Sequence, residues 1–484
     1  MRILNRLVLC LALILGAGML LSAQPGNTLY FMKGVPQSNR INPARQPECG
    51  FYFGIPAISP LSLELSSSSL AYQDLIYPHP SEDSLITFLH PLGDQQAFLK
   101  ELKPLNYVIS DLGTSLFSMG FRTGIGFFSL DVTTRVDGDV YYPGDLARLV
   151  LEGADEGETY TLDGTGVDLS AFDEVSLGWS GAIGNSIQIG LRGKMLFGVG
   201  NLNTNRSDLS VSTSEELWNI RSHMEYHASL PFAEVIYDND GMIEDIIIDE
   251  ELENLNPGAI ARTAFNMNNL GLGLDLGIDF RPSDRWLLSA SVLDIGYIRW
   301  TDEVHKVSYI TDYDFTSQEI DPFEFTDDFT FNDWIDSTFS EIGDSLAGAL
   351  EFTPGGIYSR RLNTKLFVGA SWYATPNINF GLLSRTDFLK ESVVEQLTAS
   401  ANFRAGRFLN FTLSYSYINS YFKNFGAGIS FNAGPLNIYV VSDNTLNALL
   451  WPQEVQSANL WFGMNFAVGY KQFTKDDLDR PLVY

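Results

Sequence analysis

The stretch Asn269–Phe280 sets the tightest limit on what this chain can fold into. Leu270, Leu272, Leu274, Leu276, Ile278 and Phe280 fall on one parity, while Asn269, Gly271, Gly273, Asp275, Gly277 and Asp279 fall on the other. An extended chain sends successive side chains to opposite faces, so this is a strand with one oily wall and one polar wall. The split recurs in Ser186–Gly200, where Ile187, Ile189, Leu191, Met195 and Phe197 oppose Gln188, Gly190, Arg192 and Lys194. It recurs again in Leu409–Tyr417 and in a last strand with Leu460, Phe462, Met464, Phe466 and Val468 on one side. A soluble sandwich also uses such strands, but at about 5–6 residues each; these run about 9–14, enough to cross a bilayer when tilted.

The punctuation between strands gives the topology. Short turns fall near Arg122–Gly124, Ile183–Asn185, Pro282–Asp284, Thr375–Asn377, Gly406–Arg407 and Ala433–Pro435. They alternate with connections at 57–106, 139–170, 201–267, 300–362, 390–392, 420–421 and 444–456, several of them long. That alternation predicts an all-β, transmembrane antiparallel barrel of roughly 14 strands, closed because an open edge in lipid would leave backbone groups unpaired. Both termini then lie on the turn side, with short turns in the periplasm and long loops outside. The first and thirteenth strands are the most weakly patterned. Three loop segments carry structure of their own: a helix over Pro143–Gly153, a second over Asn332–Leu350, and a strand Leu217–Leu230 projecting beyond the membrane beside Arg206–Ser214.

Composition agrees with this architecture and removes other classes. Charged residues are 18% of the chain and aromatic ones 13%, yet mean hydropathy is +0.00, as expected when every second strand residue is polar. No apolar run of the roughly 18 residues that a membrane helix needs occurs after the N-terminus. A net charge of −29 excludes nucleic acid as a partner, since phosphate binding needs a basic surface. The acid is concentrated in Glu234–Glu253 and Asp302–Glu351, which read as solvated loops. At the start, Arg2 and Arg6, an apolar stretch Leu7–Leu21 and Ser22-Ala23-Gln24 read as a secretory signal cut after Ala23. Cys10 lies inside it, leaving the mature chain Cys49 alone and no disulfide. The expected division is signal peptide 1–23, N-terminal segment 24–49, barrel 50–470 and C-terminal tail 471–484.

Five stretches resemble a family of Bacteroidota outer-membrane barrels of unknown function, related in architecture to FadL-type fatty-acid channels and to the PorV-like barrels of type IX secretion. They are Asn42-Pro43-Ala44, Leu191–Gly198, Val292–Trp300, Gly434–Asn444 and the closing Asn-Leu-Trp-Phe-Gly-Met-Asn-Phe strand. The resemblance implies a 14-strand barrel with an N-terminal plug, and transport less directly. The acidic loop 301–351 has no counterpart in a channel role.

Candidate sites follow from these patterns. Asn42, Pro43 and Ala44 either anchor a plug in the lumen or form an ordinary turn into the first strand. Arg192, Lys194, Asp275, Asp279, Lys365, Arg385 and Arg404 lie on polar faces. They are expected to pair with one another across the lumen, because buried charges must be paired; binding an anionic head group is the other reading. Asp294, Gly296 and Trp300 sit where the seventh strand leaves the membrane, with Trp300 expected in the interfacial aromatic girdle. His223 and His227 stand four apart, but Trp218, Ile220, Met224 and Tyr226 keep period two, so the pair spans about 13 Å of strand and suits no single metal ion. Asp238-Asn-Asp240-Gly241 lacks the first and last ligands of an EF-hand loop. No nucleophile–base pair and no cofactor motif stands out, and the chain reads as a non-enzyme.

Two functions remain from the sequence. One is a FadL-like outer-membrane barrel for passive uptake or binding of small, hydrophobic molecules, which a plugged lumen and a side opening at a strand kink would support. The other is a non-transporting scaffold that engages a surface or secretion-system protein through its acidic loops.

Overall fold

The structure is a computed structural model that describes residues 26–32, 34–79, 84–88, 90, 92–153, 155–214, 217–237, 243–254, 256–316, 350–418, 421–444 and 456–470. The signal segment, the turn at Asp238–Gly241, residues 332–349 of the helix expected over Asn332–Leu350 and the tail 471–484 lie outside the described residues, and Leu350 itself begins a strand, Leu350–Pro354.

Fourteen antiparallel strands form one closed meander. The first, β1, is in two parts, Phe51–Gly54 and Leu61–Ser67. It is followed by β2 (Leu105–Thr123), β3 (Gly126–Pro143), β4 (Gly166–Ile183), β5 (Ile187–Thr213), β6 (Leu270–Ser283) and β7 (Trp286–Trp300). Then come β8 (Tyr358–Arg361 and Thr364–Thr375), β9 (Ile378–Phe388), β10 (Val393–Ala405), β11 (Leu409–Ile418), β12 (Tyr421–Ala433), β13 (Leu436–Ser442) and β14 (Ser457–Val468). The sheet closes where β14 pairs with both parts of β1, Phe51 opposite Val468 and Leu61 opposite Phe462. Closure satisfies every wall strand on both edges, which a lipid environment demands.

All six short turns fall where the sequence places them. Gly184, Gly406 and Gly434 take φ of +62°, +61° and +63°, the left-handed backbone that tight hairpins need. The weak patterning of two strands has a cause in each case: β1 is interrupted, and β13 is only 7 residues long. The first long connection accordingly starts after Ser67 rather than at residue 57, since β1 resumes at Leu61. β5 runs 27 residues and continues past the membrane. There it pairs with Leu217–Ser229, which pairs in turn with Val304–Thr316. His223 and His227 lie in that strand, opposite Ile310 and Lys306. The helix at Gly144–Glu152 ends at Gly153 with φ +77°.

The two faces separate as the parity requires. On β6, Leu272 is 59% and Leu276 45% exposed, whereas Asp275 between them is 1% exposed. Exposed apolar residues on β7 extend from Trp286 to Tyr297. At about 3.3 Å per residue and about 40° of tilt these steps span roughly 28 Å, the height of a hydrocarbon core. The aromatic girdle is at the turn end, where Trp286, Trp372 and Phe380 are register neighbours across β7, β8 and β9. Trp300 does not belong to it. A bulge at Leu293–Asp294 inserts one residue opposite Asp275, turns the later parity inward, and leaves Trp300 with 0% exposure among Phe172, Leu196, Ile298 and Leu362.

Candidate functional site: the filled lumen

The described residues of the N-terminal segment 26–49 lie inside the barrel, and the run Leu29-Tyr30-Phe31-Met32 is the reason they stay there. These four side chains, with Val35 and Ile41, are buried against Leu293, Phe367, Leu383, Tyr439, Val441 and Trp461 of the wall. Each is worth about 1.5–3 kcal/mol when removed from water. Tyr30 stacks on Phe367 at 5.7 Å and donates to Ser289 at 2.8 Å. The wall makes room by carrying glycine where the segment is bulkiest. A Cβ on Gly381 would lie 2.2 Å from the Phe31 ring, and one on Gly428 would lie 2.4 Å from the Met32 sulfur.

Asn42-Pro43-Ala44 sits on the best-shaped part of this seat. Gly190 of β5 and Gly277 of β6 are direct register partners. A Cβ on Gly190 would be 2.0 Å from the Pro43 carbonyl oxygen, and one on Gly277 would be 2.2 Å from Asn42 Oδ1. Asn42 Oδ1 accepts from the Ala44 backbone N–H at 3.0 Å, closing a turn, while its Nδ2 donates to Asp279 at 2.8 Å. Polar contacts fix both ends of the segment. The Asn27 and Thr28 backbone N–H groups donate to the Asp443 carboxylate at 2.6 and 2.7 Å, and Arg404 donates from its two terminal guanidinium nitrogens to Glu48 at 2.6 and 2.7 Å. Cys49, beyond that latch, is buried with Tyr52, Phe127 and Ala467, and burial pushes its thiol pKa up to about 12.

Around the segment, charges of the described residues meet in pairs. Arg192 holds Asp131 at 2.5 Å, and Arg40 from the N-terminal segment reaches the same carboxylate at 2.8 Å. Lys194 lies 2.8 Å from Asp275 and 2.5 Å from Asp294; Arg135 contacts Asp294 at 3.0 Å and Asp137 at 3.1 Å. A second group joins opposite walls, with Lys365 of β8 on Asp111 of β2 at 3.1 Å, and Arg385 of β9 on Asp387 at 2.7 Å and on Glu64 of β1 at 3.3 Å. Every one of the seven lumen-facing candidates thus has a partner, and in each cluster the partner is a side chain of this chain. A cavity of about 10 Å³, bounded by Asn39, Pro43, Phe127, Ser129 and Arg192, has room for roughly one water.

The Asp294–Trp300 stretch has a packing explanation. Asp294 occupies the bulge with φ +60°, and its N–H donates to Asp275 at 2.8 Å. Gly296 lets the strands close up, since a Cβ there would meet the Leu272 carbonyl oxygen at 2.3 Å. Trp300 lies over Gly198, whose Cβ would be 2.4 Å from the indole. Two separate sequence motifs, Leu191–Gly198 and Val292–Trp300, therefore meet twice, at Lys194–Asp294 and at Gly198–Trp300.

One wall strand is broken midway along its length. Between Gly54 and Leu61 the chain loops out, with Ile55 N–H donating to Met464, Ala57 N–H to Ser115 and Ser59 N–H back to Ile55. Ala57 has φ +62°, and Thr114 on the lipid side donates to its carbonyl at 3.0 Å. Pro56, Ala57 and Ile58 are exposed there, while Ser59 turns inward, donates to Asn465 at 2.6 Å and accepts from Gln37 of the N-terminal segment at 3.3 Å. The break is thus exposed on its outer side and touches the luminal segment on the other.

Sequence reasoning found Asp275, Asp279 and Asp294 but missed the other acidic partners (Glu64, Asp111, Asp131, Asp137, Asp387, and Glu174 beside Arg135 and Lys194), Arg135 itself, and the luminal anchors Tyr30, Phe31 and Asp443. The signal for β3 was present, because Ser129, Asp131, Thr133, Arg135, Asp137 and Asp139 keep period two. An apolar run Leu29–Met32 outside any strand also needs a buried home.

No curated protein sequence matches the chain. Among solved structures it is similar to a Pseudomonas aeruginosa FadL homologue, at 9% identity and TM-score 0.40, over 93% of this chain and 100% of that one. It is similar to the Ralstonia pickettii toluene transporter TbuX at 8% identity and TM-score 0.39, over 92% and 99% of the two chains. The Pseudomonas putida toluene transporter TodX aligns at 8% identity and TM-score 0.35, over 92% and 93%. At that identity no residue of the lumen has a counterpart that the likeness could assign. A family model, by contrast, matches residues 43–443, from the Asn-Pro-Ala turn to the aspartate that holds the start of the luminal segment, and the chain belongs to that family, described as a family of unknown function, DUF5723.

Proposed function

We propose that this protein is an outer-membrane barrel, exported by its N-terminal signal, that takes up small hydrophobic molecules passively. In this reading residues 26–49 are a plug, and the solute leaves the lumen sideways into lipid at the break in β1. The observation that carries it is the combination of a filled axis with a wall strand broken at mid-membrane. A hydrophilic solute moving along the axis would have to part buried ion pairs such as Lys365–Asp111, at about 3–5 kcal/mol each. The Ile55–Pro60 loop is held by a few hydrogen bonds, and its exposed side is apolar. A small apolar solute loses nothing by crossing there, whereas an ion would have to shed its hydration.

The test is uptake of a monoaromatic hydrocarbon and of a long-chain fatty acid into proteoliposomes. The wild-type chain is compared with a variant whose Ile55–Pro60 segment is shortened to two residues, to make β1 continuous. Uptake by the wild type and its loss in the folded variant is the expected result. No permeation of either solute by the wild type would overturn the transport reading. Unchanged uptake by the variant would overturn the lateral route.

A further inference from the structure

We propose that Pro257–Met267 is a membrane anchor, lying in the leaflet on the loop side with Ile260, Phe265 and Met267 immersed among lipid acyl chains. It rests on the barrel's being embedded in a bilayer, and not on transport.

Two described parts of the connection between Ser229 and Leu270, at Phe232 and at Phe265, lie against the wall. Both contacts are on the outside of the barrel. A Cβ on Gly200, an outward position of β5, would lie 2.9 Å from the Phe232 ring, and Asp249 N–H donates to the Phe232 carbonyl at 3.0 Å. The helix Pro257–Ala264 begins with the Asn256 side chain accepting from the Gly258 N–H at 2.8 Å, and it closes with Phe265 N–H on the Ala261 carbonyl. It buries Ala259 and sets the Phe265 ring edge-on against Phe197 at 5.4 Å.

Phe197 fixes the height. It belongs to the outward parity of β5, two residues beyond Met195, which is 47% exposed and opposite the exposed Leu272 of β6. From Ile187 at the turn end to Phe197, ten strand steps at about 40° of tilt cover roughly 25 Å, the full apolar band. Phe197 therefore sits at the upper rim of the lipid-facing surface, and the segment packed on it continues that surface outward. Ile260, Phe265 and Met267 remain exposed, Met267 at 65%. Arg262 is the one charged residue from 257 to 267, and it pairs with Glu251, on the preceding acidic turn. Apolar side chains on the membrane side, with polar groups turned to the head-group side, are the pattern of a helix lying in the interface. Continuity with the belt favours lipid as the occupant over a partner protein, because a bilayer covering Met195 and Leu272 reaches Phe197 as well.

Single cysteines at Ile260 and Met267 are labelled with an environment-sensitive fluorophore in phosphatidylcholine–phosphatidylglycerol proteoliposomes, with brominated acyl chains as one quencher and aqueous iodide as the other. Leu272 is the belt control, Asp208 the aqueous control, and the unsubstituted chain the blank. The expected result is a blue shift and a loss of emission with brominated lipid at 260 and 267 equal to that at 272, with little iodide quenching. Labels at 260 and 267 that follow Asp208 while 272 stays lipid-quenched would overturn the anchor alone. If 272 also follows Asp208, the barrel's place in the membrane fails first and the anchor with it. Because both positions are exposed in the fold, neither label needs to disturb packing to report.

Discussion

Replacing Gly190 by alanine should unseat the Asn42-Pro43-Ala44 turn, and Gly193→Ala, three residues along the same strand, should not. The new methyl at 190 would lie 2.0 Å from the Pro43 oxygen, 2.1 Å from its carbon and 2.4 Å from the Ala44 nitrogen. All three are backbone atoms, so relief requires the turn to lift by about 1 Å or more. Lifting it strains a filled seat, at about 1–3 kcal/mol. It also loosens the Asn42–Asp279 hydrogen bond, worth about 1.5–3 kcal/mol to a charged acceptor. The combined loss of about 2.5–6 kcal/mol shifts the ratio of seated to unseated segment by roughly 60-fold or more. At Gly193, an outward position, a Cβ meets nothing within 4 Å, and alanine in place of glycine in a strand should be neutral or slightly stabilising. Limited proteolysis of the refolded proteins, read at the N-terminal segment by mass spectrometry, measures the ratio. Equal protection of segment 26–49 in the two variants would refute the argument that glycine at 190 exists to seat the turn.

Three further outcomes follow from the same geometry. Lys194→Met leaves Asp275 and Asp294 without the cation that bridges them, so the folded barrel should lose about 3–5 kcal/mol, read as a lower urea midpoint for refolding into bilayers. Adding Asp275→Asn to it should restore part of that loss. Cys49, buried and with its thiol pushed up to about 12, should resist iodoacetamide at pH 8 until the barrel unfolds, as followed by mass shift. On the projecting sheet, Lys306 bonding Glu225 at 2.5 Å holds that carboxylate below its usual range. A depressed folded pKa means stability present above the unfolded value near 4.5 and lost as pH falls through the folded one. Protease resistance of 217–229 should therefore survive through pH 4.5 and fall below it, and Lys306→Met should move that loss upward in pH.

The period-two pattern and the placement of short turns determine the barrel: strand number, facing and order follow because a strand's parity is a local property that lipid on one side enforces. The Leu270–Phe280 parity, the glycine turns at 184, 406 and 434, the helix before Gly153 and the projecting strand at 217–229 are all legible in that way. What sequence could not supply is anything that depends on two distant strands meeting across the lumen. Lys365 and Asp111, Arg135 and Asp294, Gly190 and Pro43 are each far apart in the chain, and no local rule links them. Trp300 shows the same limit on a smaller scale: one extra residue at Asp294 reverses the parity after it, so a side chain expected in the lipid girdle belongs to the interior. The sequence by itself determined a closed membrane barrel with polar residues inside. Only the tertiary structure decided that those residues neutralise one another around a luminal segment seated on glycines, because pairing and close packing are set by distances in space and not by spacing along the chain.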